Sequence, residues 1–202
     1  MLKYGKMIQQ NAEKLNVLIL ELLEFRRLET GNKAPSIQRL PVSDKLQNIA
    51  ESFGELAENK KLNYRLNIET GIEWNTDISC FNKIANNLIS NAFKYTPEKG
   101  NITIGLKIEN QQLILRVSNS GKGIAKENLN KVFDRYKILD SVELNGKNSR
   151  NGLGLAICKS MVTLLNGEIT IESIPNEITT FTVTLPELSP TPRSISDRAI
   201  ED

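Results

Sequence analysis

The sequence predicts a two-layer α/β sandwich, in which helices cover one face of a mostly antiparallel mixed sheet, with a long helix ahead of it. Two observations predict this fold. Apolar residues recur at helical spacing over residues 81–96, and later segments alternate between apolar and polar residues, as strands buried on one face do. Such helices and strands bury their apolar sides against each other in two layers.

Length and composition bound the class of protein. A chain of 202 residues, 39% of them hydrophobic, can bury one substantial core. The net charge of +2 and the scattered basic residues give no sign of a nucleic-acid partner. Cys80 and Cys158 lie in apolar helical patterns, so we expect buried free thiols of a reducing compartment. No apolar run approaches the roughly 20 residues of a membrane span, and we expect no signal peptide.

The first predicted element is a helix over residues 1–28. Its apolar residues recur at two heptad positions: Ile8, Leu15 and Leu22, with Leu18 and Phe25. This pattern suits a helical hairpin or a dimerising bundle, and the alternative is packing on the domain's own core. A linker follows, because Gly31 ends the helix and Pro35 prevents its continuation.

Two strands and two helices are predicted next. After a short strand over residues 36–42, Ser43 and Asp44 are expected to cap a helix that runs to about residue 61. Its inner face would consist of Leu46, Ile49, Phe53 and Leu56. A strand over residues 63–69 precedes the helix that Asp77 caps. That helix has an apolar stripe of Phe81, Ile84, Ala85, Leu88, Ala92 and Tyr95.

Two alternating strands follow, and Asn110 and Gln111 between them indicate a tight hairpin. Their inner faces contain Ile102, Ile104, Leu106, Ile108, Leu113, Leu115 and Val117. The same parity buries Asn119 at the end of the second strand, where an unpaired carboxamide would cost about 1–3 kcal/mol. A short helix around residues 127–133 comes next, and a polar segment leads to a helix ending at about residue 165. The remaining elements are strands over residues 168–173 and 179–185.

Four polar or Gly-rich sites fall at the ends of these elements, and Asn119 at the inner end of its strand is one of them. Asn87, Asn91 and Lys94 share one helix flank within an arc of about 60°. Residues 121–123 form a Gly-Lys-Gly turn, and residues 152–154 place Gly-Leu-Gly at a helix N-terminus, where free N–H groups attract phosphate. A carboxamide oxygen can bind Mg²⁺, and a lysine offers phosphate a point charge. Each site alone also has a structural interpretation, because such turns and surface Asn pairs are usually not ligand sites.

Taken together, these segments carry a resemblance to a known family. In order and spacing, NLISNAFKYTP, VSNSGKGI, KVFDRY, GLGLAICKSM and TTFTVTLP resemble the N, G1, F, G2 and G3 boxes of sensor histidine kinases. The resemblance implies that residues 1–30 are the second helix of a dimerisation and phosphoacceptor hairpin and residues 31–36 a linker. Residues 37–186 would be the ATP-binding catalytic domain, with a Bergerat-type fold, and residues 187–202 a linker tail. A Rossmann site is not expected, because no βαβ unit follows the glycines.

The resemblance also implies roles for individual residues. Asn91 would bind Mg²⁺, and Asn87 and Lys94 would act in catalysis on the metal's waters and the phosphates. Asn119 would accept a hydrogen bond from the adenine amino group. The whole set expected to bind the nucleotide is Asn87, Asn91, Lys94, Tyr95, Asn119, Gly121, Gly123, Ile124, Lys137, Gly152, Leu153, Gly154, Leu155 and Thr179.

Several positions depart from the family's pattern. Asn119 stands where the G1 box usually has Asp, and Arg150 replaces the first Gly of the G2 box. Ile178 replaces the Gly before the G3 Thr, and the basic residue expected after the F box is either displaced to Lys137 or lost. The chain also contains no His, so the phosphoacceptor of the family is missing from it. We therefore expect a fragment that binds Mg–ATP but cannot phosphorylate itself on His.

The implied function is transfer of the γ-phosphoryl group of ATP to a His outside this chain, for relay to a response-regulator Asp. The implied partners are a second copy, bound through the helical hairpin, and a receiver domain, and the chain would be the cytoplasmic part of an inner-membrane sensor. Two alternatives remain open. One is a degenerate nucleotide-sensing or dimerisation module. The other is an ATP-driven clamp of the gyrase or mismatch-repair type, in which a Glu occupies the position of Asn87.

Overall fold

The computed structural model describes residues 34–134 and 152–190, together with scattered helical residues between Gly5 and Arg26. Predicted residues outside this part of the chain are Leu18, Leu22, Phe25, Lys137 and Arg150. The apolar residues described in the first helix are exposed: Ile8, Leu15, Ile19 and Leu23. These four residues do not pack on the core of the domain, so that alternative prediction is wrong for them. No helix among the described residues is long and apolar enough to cross a membrane.

Seven strands and four α-helices lie in residues 34–134 and 152–190. The strands are β1 (Gln38–Pro41), β2 (Asn63–Ile68), β3 (Glu73–Thr76), β4 (Asn101–Glu109), β5 (Gln112–Ser120), β6 (Glu168–Ile174) and β7 (Ile178–Pro186). The helices are α1 (Val42–Glu51), α2 (Gly54–Asn59), α3 (Ile78–Tyr95) and α4 (Gly154–Leu164), with a 3-10 helix over Lys126–Lys131.

The main sheet has five strands in the order β2-β4-β5-β7-β6. The pairing of β2 with β4 is parallel, and the other three pairings are antiparallel. Along β4, β5 and β7, every second residue is buried under the helices, as the alternation predicts, except for Ile108 near the end of β4. The predicted two-layer sandwich with a mostly antiparallel mixed sheet is confirmed. Both cysteines are buried free thiols.

Helix α3 has the ends that the sequence predicts. The Asp77 side chain caps it, because Oδ1 accepts from the Cys80 N–H at 3.0 Å and Oδ2 accepts from the Ser36 N–H at 2.8 Å. The helix stops at Thr96, whose extended backbone is what a following proline favours. The predicted stripe is buried except for Tyr95, which is 44% exposed at the helix end.

The segment before α3 differs from its prediction in three ways. The single helix expected to about residue 61 is broken into α1 and α2, and Leu56 is exposed while Ala57 packs inward. Strand β3 was not predicted; it pairs with β1 in a separate antiparallel ribbon. Ser43 is not a cap, since its Oγ donates to the Glu69 carbonyl at 2.5 Å and accepts from the Ile72 N–H at 3.0 Å.

Two further differences concern the ends of the sheet. Ile108, predicted inside, is 43% exposed near the end of β4, where no helix of the described part covers it. Glu187, at the start of the predicted linker tail, forms an ion pair with Arg39, and Leu188 packs against the core. The tail therefore contacts the domain where it leaves β7.

The β3 strand holds buried polar atoms that have no hydrogen-bond partner within the described residues. They are Trp74 Nε1, Asn75 Oδ1 and Thr76 Oγ1. Native structures usually satisfy such groups, and each unsatisfied one lowers stability by about 1–3 kcal/mol. Among the described residues, the ribbon therefore leaves more buried polar atoms without a partner than the main sheet does.

Two buried hydroxyls make a matched pair for a stability test, since Ser43 is 3% exposed and Thr76 is 1% exposed. Replacing Ser43→Ala leaves the Ile72 N–H unpaired, so we expect the free energy of unfolding to fall by about 1–3 kcal/mol. Replacing Thr76→Val removes a hydroxyl without a partner and should leave that free energy equal or higher. Urea denaturation of the chain measures both. An equal loss in the two variants would contradict the assignment of Thr76 Oγ1 as unpaired.

Candidate functional site

One wall of the predicted site is the flank of α3. Asn87, Asn91 and Lys94 are half-buried beside the apolar stripe, at spacings of four and three residues that keep them on one side. Tyr95 follows at the helix end, and the Lys94 Nζ atom lies 5.5 Å from the centroid of its ring. The flank thus offers two carboxamides and a cation to one region of the surface.

The start of α4 lies against this flank. A Cβ atom added at Gly154 would be 2.9 Å from Asn87 Oδ1, so the glycine allows α4 to approach α3 closely. Gly152 has a φ of +61°, in the left-handed region, and turns the chain into the helix. Leu153 is 3% exposed, so its side chain belongs to the core and only its backbone can face a ligand. Leu155 is half-buried and also packs against the core.

The N–H groups of the first α4 turn therefore lie close to Asn87. Backbone N–H groups at a helix N-terminus have no intrahelical partner and carry the positive end of the helix dipole. Next to the α3 flank, they form a site suited to phosphate.

A second part of the site lies at the end of β5. Asn119 is 7% exposed, and its Nδ2 donates to the Ser120 carbonyl at 3.0 Å, which is the partner that the sequence required. Oδ1 accepts no hydrogen bond from the residues that the structure describes. Thr179, paired with Asn119 across β5 and β7, is 6% exposed. A buried acceptor and a buried hydroxyl thus lie side by side on the covered face of the sheet.

The Gly-rich turn after β5 is held against the β6–β7 hairpin. The Gly121 N–H donates to the Glu177 carbonyl at 3.2 Å, and the Asn176 N–H donates to the Lys122 carbonyl at 2.9 Å. Gly123 has a φ of +69°, and a Cβ there would lie 2.8 Å from the carbonyl oxygen of Ile174. The turn has no room for a side chain at this position.

The turn also contacts the end of α3. A Cβ at Gly121 would lie 2.6 Å from the carbonyl oxygen of Tyr95. This close approach places the turn after β5, next to Asn119, against the end of α3. The structure therefore brings together the predicted site residues that it describes, and Lys137 lies outside the described residues.

Two residues of this region were missed in the sequence. Ser173 Oγ accepts from the half-buried Ile124 N–H at 2.9 Å and lies 2.8 Å from Thr179 Oγ1. Lys60 Nζ donates to the carbonyls of Phe93 and Thr96, at 2.7 and 3.0 Å, and so holds the end of α3. Both act across distant parts of the chain, and no local pattern signals either role.

The thiol near the site is not reactive. Cys158, in α4, is buried, and burial raises the pKa of its thiol to about 12. A thiol with this pKa stays protonated at neutral pH, so nucleophilic chemistry by Cys158 is not expected.

Known proteins resemble this chain in sequence. A family model for histidine kinase-, DNA gyrase B-, and HSP90-like ATPases matches residues 76–189, more than half of the chain. Sensor protein SrrB of Staphylococcus aureus strain NCTC 8325 / PS 47 is 30% identical over 180 residues, or 89% of this chain. The same protein of strain MRSA252 is equally similar. The chain spans 31% of the length of these relatives.

Solved structures share the fold. The Acinetobacter baumannii histidine kinase AdeS has a TM-score of 0.75 and 20% identity, over 91% of this chain and 84% of that one. Full-length ShkA in complex with AMPPNP has a TM-score of 0.78 and 21% identity, over 95% of this chain and 40% of that one. At these identities, the likeness shows the architecture.

The close packing at Gly123 can be tested against another glycine. Gly71 also has a positive φ, +73°, but nothing lies within 4 Å of a Cβ added there. We expect Gly71→Ala to lower the free energy of unfolding by about 1–2 kcal/mol through backbone strain alone. Gly123→Ala should cost about 1–3 kcal/mol more, because the new methyl group meets backbone atoms. Thermal or urea unfolding measures the difference, and equal costs would show that the turn can move away from the hairpin.

Proposed function

The chain belongs to the family of histidine kinase-, DNA gyrase B- and HSP90-like ATPases, and we propose that it is the Mg–ATP-binding catalytic region of a sensor histidine kinase. It would transfer the γ-phosphoryl group of ATP to a His outside this sequence, which contains none, for relay to an Asp of a response regulator. The contact of Gly154 with Asn87 supports this proposal most directly, since it joins a phosphate-binding helix start to the α3 flank.

The two ends of the site suit the two ends of ATP. The triphosphate would lie between the first turn of α4 and the α3 flank, where N–H groups and Lys94 supply positive charge. The adenine would enter toward Asn119 and Thr179, which are buried and polar. The Gly121 turn, in contact with the Tyr95 carbonyl, lies between these regions.

The chemistry of the α3 flank fits Mg²⁺. This ion prefers hard oxygen ligands and usually keeps several waters, together with one or two protein ligands and substrate phosphates. Asn91 Oδ1 would be the protein ligand, and Asn87, one helical turn before it, would bind the surrounding water or phosphate. The bound ion would neutralise charge on the transferring phosphoryl group.

The residues of this chain would act by positioning and by charge. Lys94 offers a fixed positive charge to the phosphates, and the α4 N-terminus orients them. Asn87 cannot take a proton from water, because a carboxamide is not a base at neutral pH. Its place in the site therefore favours transfer to an acceptor supplied by a partner helix over the hydrolysis carried out by ATP-driven clamps.

The partners follow from the first helix and from the relatives. The exposed Ile8, Leu15, Ile19 and Leu23 support a homodimer formed through a helical hairpin. A response-regulator receiver domain would take the phosphoryl group from the His. We propose that the chain is the cytoplasmic part of a protein anchored in the inner membrane.

Transfer is the first test of the function. We expect the chain, given Mg²⁺ and γ-labelled ATP, to label a separately expressed hairpin that carries the acceptor His. A hairpin with that His replaced by Gln is the control and should stay unlabelled. Binding of ATP without any labelling would overturn the kinase proposal and favour the nucleotide-sensing alternative.

The metal role of Asn91 is tested by nucleotide titration with and without Mg²⁺. In Asn91→Ala, we expect the Mg²⁺-dependent gain in ATP affinity to fall by about tenfold or more, because a charge-assisted interaction is lost. Asn86→Ala is the matched control, since Asn86 lies on the same helix but is exposed, and its Nδ2 donates to the Asn82 carbonyl. Full metal dependence in Asn91→Ala would exclude Asn91 as a ligand.

A further inference from the structure

We propose that Ser173 is a positioning residue that determines base specificity. Its hydroxyl accepts a hydrogen bond from the Thr179 hydroxyl, so that Thr179 and Asn119 present two hydrogen-bond acceptors to the amino group of a 6-aminopurine. This inference rests on the proposed function, because it concerns the base end of the same nucleotide site.

The strand register places the three side chains in one row. Ser173 of β6 pairs with Thr179 of β7, and Thr179 pairs with Asn119 of β5. Residues directly opposite on neighbouring strands have side chains on the same face and in contact distance. Ser173 is therefore the outer member of a row that ends at the buried carboxamide.

The hydrogen bonds around Ser173 determine where the protons lie. Ser173 Oγ accepts from the Ile124 N–H at 2.9 Å, lies 3.2 Å from the Ile178 carbonyl oxygen and lies 2.8 Å from Thr179 Oγ1. A serine hydroxyl has one proton and two lone pairs, and a carbonyl oxygen can only accept. All three contacts are satisfied when Ser173 donates to Ile178 and accepts from Thr179. The Thr179 oxygen then has only lone pairs left to offer.

A hydrogen bond also fixes the orientation of the Asn119 side chain. One N–H of its Nδ2 donates to the Ser120 carbonyl at 3.0 Å, so the orientation of the carboxamide is set and Oδ1 is the acceptor that it offers a ligand. Two acceptors on neighbouring strands match the two N–H donors of a 6-amino group. A 6-oxo group would bring a third acceptor against them, and a buried site rejects such a mismatch strongly.

The acceptor at Thr179 compensates for Asn119, which stands where the G1 box usually has Asp. A carboxylate in place of the carboxamide would attract the amino group by charge, and Asn119 lacks that charge. The second acceptor at Thr179 restores the preference for an amino group without it. Ser173 also holds the Gly-rich turn through the Ile124 N–H, so one hydroxyl orders both parts of the base site.

The experiment compares the affinity of the full chain for Mg–ATP and Mg–ITP, whose base carries a 6-oxo group. We expect the wild-type chain to prefer ATP and the ATP/ITP affinity ratio to fall about fivefold or more in Ser173→Ala, because the freed Thr179 proton can then donate to the oxo group. Thr179→Val should lower the ratio too, and the double variant should lower it no further than Thr179→Val alone, since the two residues act through one hydrogen bond.

Two further variants separate specificity from structure. Ser173→Thr keeps the hydroxyl and should keep the ratio. Ser118→Ala removes an equivalent hydroxyl pair on the opposite face of the sheet, where Ser118 Oγ lies 2.9 Å from Thr180 Oγ1, and should not change it. An equal loss of affinity for ATP and ITP in Ser173→Ala, or an unchanged ratio in Thr179→Val, would overturn the inference alone. Failure of the wild-type chain to bind either nucleotide would overturn the proposed function and the inference with it.

Discussion

The pairing of β5 with β7 is the interaction on which the core and the site both depend. Its register runs from Gln112 opposite Pro186 to Ser120 opposite Ile178. Because side chains alternate across a strand, a slip of one residue would turn the buried Val117 and Val183 outward. The same slip would remove Asn119 from the covered face. The hydrophobic effect that sets this register therefore also places the polar end of the site, with no separate interaction needed to specify it.

Around this pairing, the site is built from backbone groups that approach closely. Gly154 lets the start of α4 reach Asn87, and Gly121 lets the turn after β5 reach the Tyr95 carbonyl. The groups proposed to face the ligand are carboxamides, hydroxyls, N–H groups and a lysine. Such a site acts by positioning and by fixed dipoles, which is what phosphoryl transfer requires of a protein when the accepting base lies on another helix.

Much of the fold could be predicted because its signals are local. The alternation in β4, β5 and β7, the cap at Asp77 and the stop before Pro97 each depend on a few neighbouring residues, and all of them are found in the structure. Strand β3 was missed because a four-residue strand in a two-stranded ribbon is stabilised by its partner β1 rather than by its own pattern. The break between α1 and α2 was missed for a similar reason, since Leu56 and Ala57 fit either helix phase until the core decides which faces inward.

By itself, the sequence determined the order of the long elements, the buried face of each long strand and the candidate residues for site chemistry, because periodicity and motif spacing are properties of the chain. Only the tertiary structure decided which of those residues meet. The contact of Asn87 with Gly154 joins two helices far apart in sequence, and the role of Ser173 follows from the register of three strands. The direction of these hydrogen bonds depends on which donor faces which acceptor, and the pairing of the strands determines this.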